Sequence, residues 1–387
     1  MVTVTDYELF KLPPRLVCLR VETDTGIVGW GEPTMGAYSN IVKAACEFLM
    51  DAFVVGEDPL EINDLWERMY YGGFYYGGPI LMTAISGIDH ALWDIKGKQY
   101  DLPVYEFLGG RVRDRLRVYT TVGEQFVEEN PSRDLQDRAS TLHDLGVTAL
   151  KINAPLRTRD IEPPAMVDRT RAQFAAVRDE VGDDVDVAVD FHGRVTPAMV
   201  ERLADALEPH EPMFIEEPVL PEYNDQLRHV DTSIPLATGG RMYTHKAFAD
   251  LLGSGVVDVI QPSPSHAGGI TAVNKIASLP EAYDVTVAPH SPTGPISYAA
   301  CLHLGLSAPN VSVQQTPFNV IGASEESLFH QLLDGRPFDY DDGYVTLSSG
   351  PGLGIDIDEE FVRQRSKMDI DFQFPLWRHE DGSFARW

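Results

Sequence analysis

From Val118 to Gln315 the chain repeats one pattern: a short run rich in β-branched residues, a stretch of helical period, then another run. The eight runs are VYTTV (118–122), ALKIN (149–153), DVAVDF (186–191), MFIEE (213–217), PLATG (235–239), VDVIQP (257–262), VTVAPH (285–290) and VSVQQ (311–315). Between them lie amphipathic segments such as PAMVERLADALEP, HKAFADLLGSG and GITAVNKIASLPEAYD, which close near Gly, Asn, Asp or Pro as helices do. Parallel strands cannot be joined by a tight turn and need a long crossover, usually helical. The alternation therefore predicts a parallel sheet, and eight strands with eight crossovers predict an α/β fold of the TIM-type (β/α) barrel.

The first hundred residues follow another rule. LVCLRVET, a turn at Asp24-Thr25-Gly26 and GIVGWGE predict an antiparallel hairpin. Helices follow, the clearest with Leu81, Ile85, Ile88, Leu92 and Ile95 on one face, a period that signals core packing rather than a binding stripe. The expected division is an α+β unit over residues 1–115, the barrel over 116–350, and a segment over 351–387 that holds no further barrel unit and returns to the first unit. No low-complexity linker separates them.

Composition narrows the chemistry. Hydrophobic residues make up 43% of 387 positions, enough for a substantial core. The start, MVTVTDYELFKLPPR, has no basic stretch followed by an apolar one, and no apolar run reaches the roughly 18 residues of a membrane span. A cytoplasmic protein is expected. A net charge of −28 argues against nucleic acid and anionic membranes as partners, because both would be repelled. An acidic substrate would need a local positive centre. Lysine is scarce beside arginine and the acids are spread over expected loops, a halophilic pattern suited to high salt, with an ordinary acidic surface as the alternative. The three cysteines, Cys18, Cys46 and Cys301, are far apart in apolar contexts and read as reduced core thiols.

In a TIM barrel the active site lies at the C-terminal ends of the strands. In order, those ends offer Lys151 and Asn153, Asp190 and His192, Glu216 and Glu217, Gly240, Ser263, His290 and Gln315. Carboxylates on successive strands converge and would repel unless a cation sat between them. Asp190 and Glu216, as hard oxygen donors, suit Mg²⁺, although either acid alone could simply be solvated at a strand end. His192 and His290 face one mouth from nearly opposite sides, so one could remove a proton while the other delivers one. His266, in SPSHAGGI, reads as structural. Lys151 could clamp an anionic substrate, form a Schiff base or pair with the acids, and the two neighbouring carboxylates favour the paired state.

Several stretches together carry a family resemblance: DFHGRV (190–195), FIEEPVL (214–220), SHAGGI (265–270), APH followed by GPI (288–296), GGPILMTAISGIDHALWDIKGK (77–98) and PLWRHED (375–381). With these the chain resembles the enolase superfamily, in its mandelate racemase-like subgroup, and within it the D-galactonate dehydratase family. The resemblance runs from end to end. It implies a barrel capped by the α+β domain, with loops, here GEPTMGAYSN among them, closing over the substrate. It implies a carbon–oxygen lyase that binds a sugar acid through Mg²⁺, removes the proton alpha to the carboxylate and expels the β-hydroxyl as water, leaving a 2-keto-3-deoxy acid. Carried over by position, Asp190 and Glu216 are metal ligands, His290 the general base and His192 the general acid. Lys151, Asn153 and Arg194 fall in the substrate-binding set, and homo-oligomers are common in the family.

Three positions depart from what the resemblance implies. The third metal ligand, a glutamate in a GER context, is replaced in GGR by Gly240. An aspartate that orients the base histidine is Ser263, and a glutamate that stabilises the enediolate is Gln315. A carboxylate about 4 Å from a divalent ion contributes up to roughly 8 kcal/mol at an effective dielectric near 20, before desolvation. Ser263 can orient an imidazole but cannot neutralise its charged form, and losing the acid of a comparable triad costs about 10⁴ in rate. Gln315 can still donate to an oxyanion. The expectation is a sugar-acid dehydratase with impaired or altered activity. A non-catalytic sugar-acid binding or regulatory protein is the alternative, and a retaining glycosidase using Glu216 is disfavoured by the resemblance.

Overall fold

The computed structural model describes residues 2–123, 131–291, 293–322, 326–370 and 372–386. The chain opens with three antiparallel strands, β1 (Val4–Leu12), β2 (Leu16–Thr23) and β3 (Val28–Gly31). The β2–β3 hairpin turns at Asp24-Thr25-Gly26 as the sequence predicts, with Gly26 at φ 79° where a side chain would be strained. Helices α1 (Ser39–Leu49), α2 (Ile62–Tyr71) and α3 (Gly78–Tyr100) complete this unit.

Helix α3 does more than the predicted stripe requires. Ile85, Ile88, Leu92 and Ile95 are at most 1% exposed, while Leu81 is half-buried. Its polar face, with Ser86, Asp89, His90 and Asp94, is equally buried because the helix is wedged between the cap sheet and the barrel. The sheet lies so close that a Cβ on Gly31 would collide with the Gly87 carbonyl. On the barrel side Ser86 Oγ accepts from the amides of Gly268 and Gly269 at 2.9 and 3.0 Å, and Asp89 Oδ2 accepts from Thr271 N at 3.0 Å.

After the short α4 (Val104–Phe107), eight parallel strands form the ring: β4 (Leu116–Val122), β5 (Ala149–Asn153), β6 (Asp186–Asp190), β7 (Ile215–Glu216), β8 (Leu236–Thr238), β9 (Val259–Ile260), β10 (Thr286–Val287) and β11 (Gln314–Gln315). A bridge between Val287 and Val311 and the pairing of β11 with β4 close it. Helices α5 (Ser132–Asp144), α6 (Pro164–Val181), α7 (Pro197–Leu207), α8 (His245–Ser254), α9 (Gly269–Ser278) and α10 (Pro295–Ser307) make six of the crossovers. The crossover before β8 is a 3-10 segment, Pro221–His229.

The eighth crossover is not a full helix. Two four-residue helices lead to a hairpin, β12 (Phe338–Asp341) and β13 (Tyr344–Leu347), and β13 pairs antiparallel with β4. Gly322, Gly335 and Pro337 interrupt any helical period there. Beyond it, Gly352 pairs with Leu102 and Val104, Leu353 N donates to Asp94 Oδ1 at 2.9 Å, and Arg363 of a closing helix meets Glu8 of β1. The three cysteines are free and buried. Among the described residues no helix is long and apolar enough to cross a membrane.

Inside the ring, each strand contributes one residue to an apolar layer: Tyr119, Ala149, Ala188, Phe214, Ala237, Val259, Ala288 and Val313, none more than 6% exposed. That layer sets the register of everything above it.

Candidate active site

Side chains on a strand return to the same face every second residue. Counting two on from the apolar layer gives Lys151, Asp190, Glu216, Gly239, Gln261, His290 and Gln315 on seven successive strands. The barrel floor thus carries a ring of polar side chains with one sector, at β8, that has none. Five of these, Lys151, Asp190, Glu216, His290 and Gln315, border a cavity of 260 Å³. The cap closes it from above with Arg15 and the segment Thr34 to Tyr38, the GEPTMGAYSN loop of the sequence analysis, and Phe374 of the tail joins them.

Lys151 holds the centre. Its Nζ donates to Glu216 Oε1 at 2.6 Å and lies 3.2 Å from Asp190 Oδ2, so the ammonium bridges the two acids. Of the three roles open to this lysine, the paired state is the one observed, and the side chain is 2% exposed. Burial works against its charge, but Glu216 and Asp190 outweigh that and hold the ammonium well above the usual lysine range. Burial likewise opposes ionisation of Asp190, yet Lys151, His192 and Arg194 prevail and keep its carboxyl well below the carboxylate range. At Glu216 burial dominates and the Asp190 charge adds to it, so this carboxyl is pushed upward despite Lys151. Its second oxygen accepts from Gln261 Nε2 at 2.9 Å.

The histidines differ in support. His192 lies past the end of β6 at φ 55°, in the left-handed region that side chains rarely adopt, and Glu217 past β7 does the same at φ 43°. Such conformations cost on the order of 1–3 kcal/mol each and cluster at functional sites. Asp190 fixes His192 twice, accepting its backbone N–H at 2.7 Å and facing its Nδ1 at 3.2 Å. His290, by contrast, finds no hydrogen-bond partner for Nδ1 among the described residues. Burial, then Lys151, push its pKa well below the usual histidine value, which leaves a neutral imidazole. Ser263, expected to orient it, is fully buried, and its Oγ also lacks a partner among the described residues.

The remaining candidates divide. Gln315 Oε1 accepts from Ser291 N at 3.1 Å, which aims the amide at the cavity wall. Gly240 lines the cavity, and a Cβ there would reach 3.4 Å from His290 Cγ, so this empty sector adjoins the base. Asn153 stands one pleat above Lys151, 1% exposed, with neither amide atom partnered among the described residues. Arg194 faces elsewhere. It lines a second cavity with Arg159 and Arg386 and stacks 5.6 Å from the ring of Trp377. His266, read as structural, has Thr83 Oγ1 at 3.0 Å and also borders the mouth.

Sequence reasoning missed three groups. Gln261 is two residues past the inward Val259, so the pleat count finds it where a search of strand ends stops at Ser263. Arg241 pairs with Glu217 and donates to the His192 carbonyl at 3.0 Å, tying β7 to the β6 turn. Arg15 enters from the cap, and no barrel pattern could have placed it.

Do these residues suit a divalent metal? The donor set is two carboxylates, and the space between them holds a covalently tethered cation. All four of their oxygens are already engaged: Glu216 by Lys151 and Gln261, and Asp190 by the His192 amide on one oxygen and by Lys151 and His192 Nδ1 on the other. No group of three or more His, Cys, Asp or Glu among the described residues is arranged to hold a metal ion. As built, the site does not fit Mg²⁺.

Comparison with known proteins places these features in a family context. Residues 13–109 match the "Mandelate racemase / muconate lactonizing enzyme, N-terminal domain" and residues 134–361 the "Enolase C-terminal domain-like" family. The D-galactonate dehydratase of Ralstonia nicotianae is 44% identical over 386 residues, covering 99% of this chain and 100% of that one. That of Cronobacter sakazakii is 42% identical over the same span. Among solved structures, a mandelate racemase/muconate lactonizing enzyme from Jannaschia sp. CCS1 superposes with a TM-score of 0.85 at 31% identity, covering 94% of this chain and 97% of the other. A member of the enolase superfamily from Salmonella Typhimurium gives 0.86 at 28%, covering 94% and 98%.

Proposed function

The chain belongs to the enolase superfamily, in its mandelate racemase/muconate lactonizing enzyme group, and from that premise we propose that it binds an aldonate-type sugar acid at the barrel mouth and dehydrates it slowly. The observation that carries this is the placing of two histidines, His192 and His290, and the buried ammonium of Lys151 on the walls of one cavity. Relatives named D-galactonate dehydratase support the substrate class.

The chemistry is assigned to the chain's own residues. The sugar acid's carboxylate faces Lys151, whose positive charge offsets the charge that builds up when the adjacent C–H bond breaks. The neutral imidazole of His290 takes the α-proton, and the electron pair moves toward the carboxylate as an enediolate. His192, whose pKa burial lowers against the opposing pull of Asp190, gives a proton to the β-hydroxyl from the fraction that is protonated, the C–O bond breaks and water leaves. The resulting enol becomes the 2-keto-3-deoxy acid. Gln315 can donate an amide hydrogen to the developing oxyanion.

Slowness follows from the same geometry. When His290 becomes an imidazolium, no carboxylate is hydrogen-bonded to its Nδ1 among the described residues, and losing the acid of a comparable triad costs about 10⁴ in rate. The same unpartnered Nδ1 favours a second reading, a sugar-acid binding protein without turnover. Incubating the purified protein with a panel of hexonates and following keto-acid formation by NMR, with calorimetric binding in parallel, tests both. Product from at least one hexonate supports the dehydratase, binding without product supports the second reading, and neither binding nor product refutes both.

A further inference from the structure

We propose that the Lys151 ammonium is the permanent cation of this site, filling the place of a divalent metal, so that sugar-acid binding is independent of added divalent ions. The inference deepens the function proposed above and shares its ligand class. It rests on three observations that do not depend on any relative. Lys151 Nζ sits 2.6 Å from Glu216 and 3.2 Å from Asp190, closer to each than a second cation could come without expelling it. All three residues are at most 4% exposed, so the ion pair is shielded from water and from competing salt. The neighbouring sector, where a further oxygen donor could stand, is the bare backbone of Gly239 and Gly240.

An ammonium has three N–H donors. Two point at Glu216 and Asp190, and Lys151 also borders the cavity, which leaves one hydrogen for an incoming carboxylate. A divalent ion entering the same space would have to eject a buried, doubly paired ammonium into a low-dielectric pocket, a cost that two carboxylates alone do not offset. The recognised ligand is therefore a monoanionic polyhydroxy acid, not a metal chelate of one.

Metal binding by itself separates this inference from the functional one. Mn²⁺ binding to chelator-treated protein, followed by electron paramagnetic resonance, is expected to be no tighter than millimolar for the native chain. In Lys151→Met, which keeps the stem and removes the charge, affinity is expected to rise at least about tenfold. Calorimetry with D-galactonate should give a dissociation constant that changes less than about twofold between chelator and excess Mg²⁺. Micromolar Mn²⁺ binding by the native chain, no gain in Lys151→Met, or a tenfold tightening of aldonate by Mg²⁺ would each overturn the proposal. If Lys151→Met fails to fold, Lys151→Gln replaces it, and the native-chain arms decide alone. Absence of any aldonate binding would count against the functional reading, while the Mn²⁺ result would still judge this one.

Discussion

Two places in this molecule bury carboxylates, and they treat them differently. Where the cap meets the barrel, Glu32 at the end of β3 accepts from Gly294 N at 2.6 Å, Ile296 N at 3.2 Å, and Ser297 N and Oγ at 3.3 and 3.1 Å. Asp89 reaches the start of α9 in the same way. The first amides of a helix have no partner within it, so a buried acid placed there satisfies donors that would otherwise be orphaned. At the mouth, Asp190 and Glu216 are held by one lysine, and around them Asn153, Ser263 and His290 keep atoms without partners among the described residues. At the interface the buried acids are spent on helix amides, although Asp89 Oδ1 and His90 Nδ1 keep no partner among the described residues; at the mouth the unpartnered atoms gather around the cavity, where a ligand could take them up.

The comparison can be broken in order of effect. His290→Asn should lower dehydration of a hexonate by about 10³, within the 10²–10⁴ typical of a general base, while the melting temperature stays put. A fall in melting temperature with unchanged turnover would move His290 to the structural side. At the interface, burial raises the Asp89 carboxyl to about 7, against hydrogen bonds from Thr271 and the pull of Lys275. Since the folded state then holds a proton that the unfolded state has released, stability should decline as pH rises from about 4 to 7, by at most about 4 kcal/mol. Denaturant titrations of Asp89→Asn should show that slope flattened, and an unchanged slope would mean that Asp89 is ionised throughout. Glu32→Ala should cost about 3 kcal/mol by stranding the α10 amides, measured as a lower denaturation midpoint.

The smallest effects make the sharpest contrast, because two fully buried serines have opposite surroundings. Ser86 accepts from two amides, whereas Ser263 Oγ has no partner among the described residues. Ser86→Ala should lose about 2 kcal/mol, and Ser263→Ala should stay within about 0.5 kcal/mol of the native chain. Equal losses would mean that the two regions do not differ as described.

Much of this was legible in the sequence, for a physical reason. Period-two alternation puts a strand's chemistry on the face of its core residue, so Lys151, Asp190, Glu216, His290 and Gln315 could be read from run ends alone. The β2–β3 hairpin was as plain, since its turn residues and its alternation agree. What escaped reading depended on distance or on conformation. Glu32 finds its partners 262 and more residues away, a pairing that no local period encodes. Gln261 lay hidden because Ser263 stands nearer the end of its run. Arg194 follows His192 and Gly193 through a left-handed turn, which carries it to the other side of the wall, toward Trp377. The eighth crossover has no helical period to read, because Gly322, Gly335 and Pro337 break it.

The proposed slowness rests on Gly240, which offers no side-chain oxygen donor, and on Ser263, which carries no charge to offset an imidazolium. The direct measurement is the rate of hexonate dehydration by Gly240→Glu/Ser263→Asp beside the native chain, both at saturating Mg²⁺ and with bound metal quantified. A rise of at least about 10², in line with the worth of an oriented, charge-compensated base, is the predicted result. Metal bound in the double variant with no gain in rate, or a native chain that already turns over as fast, would contradict it.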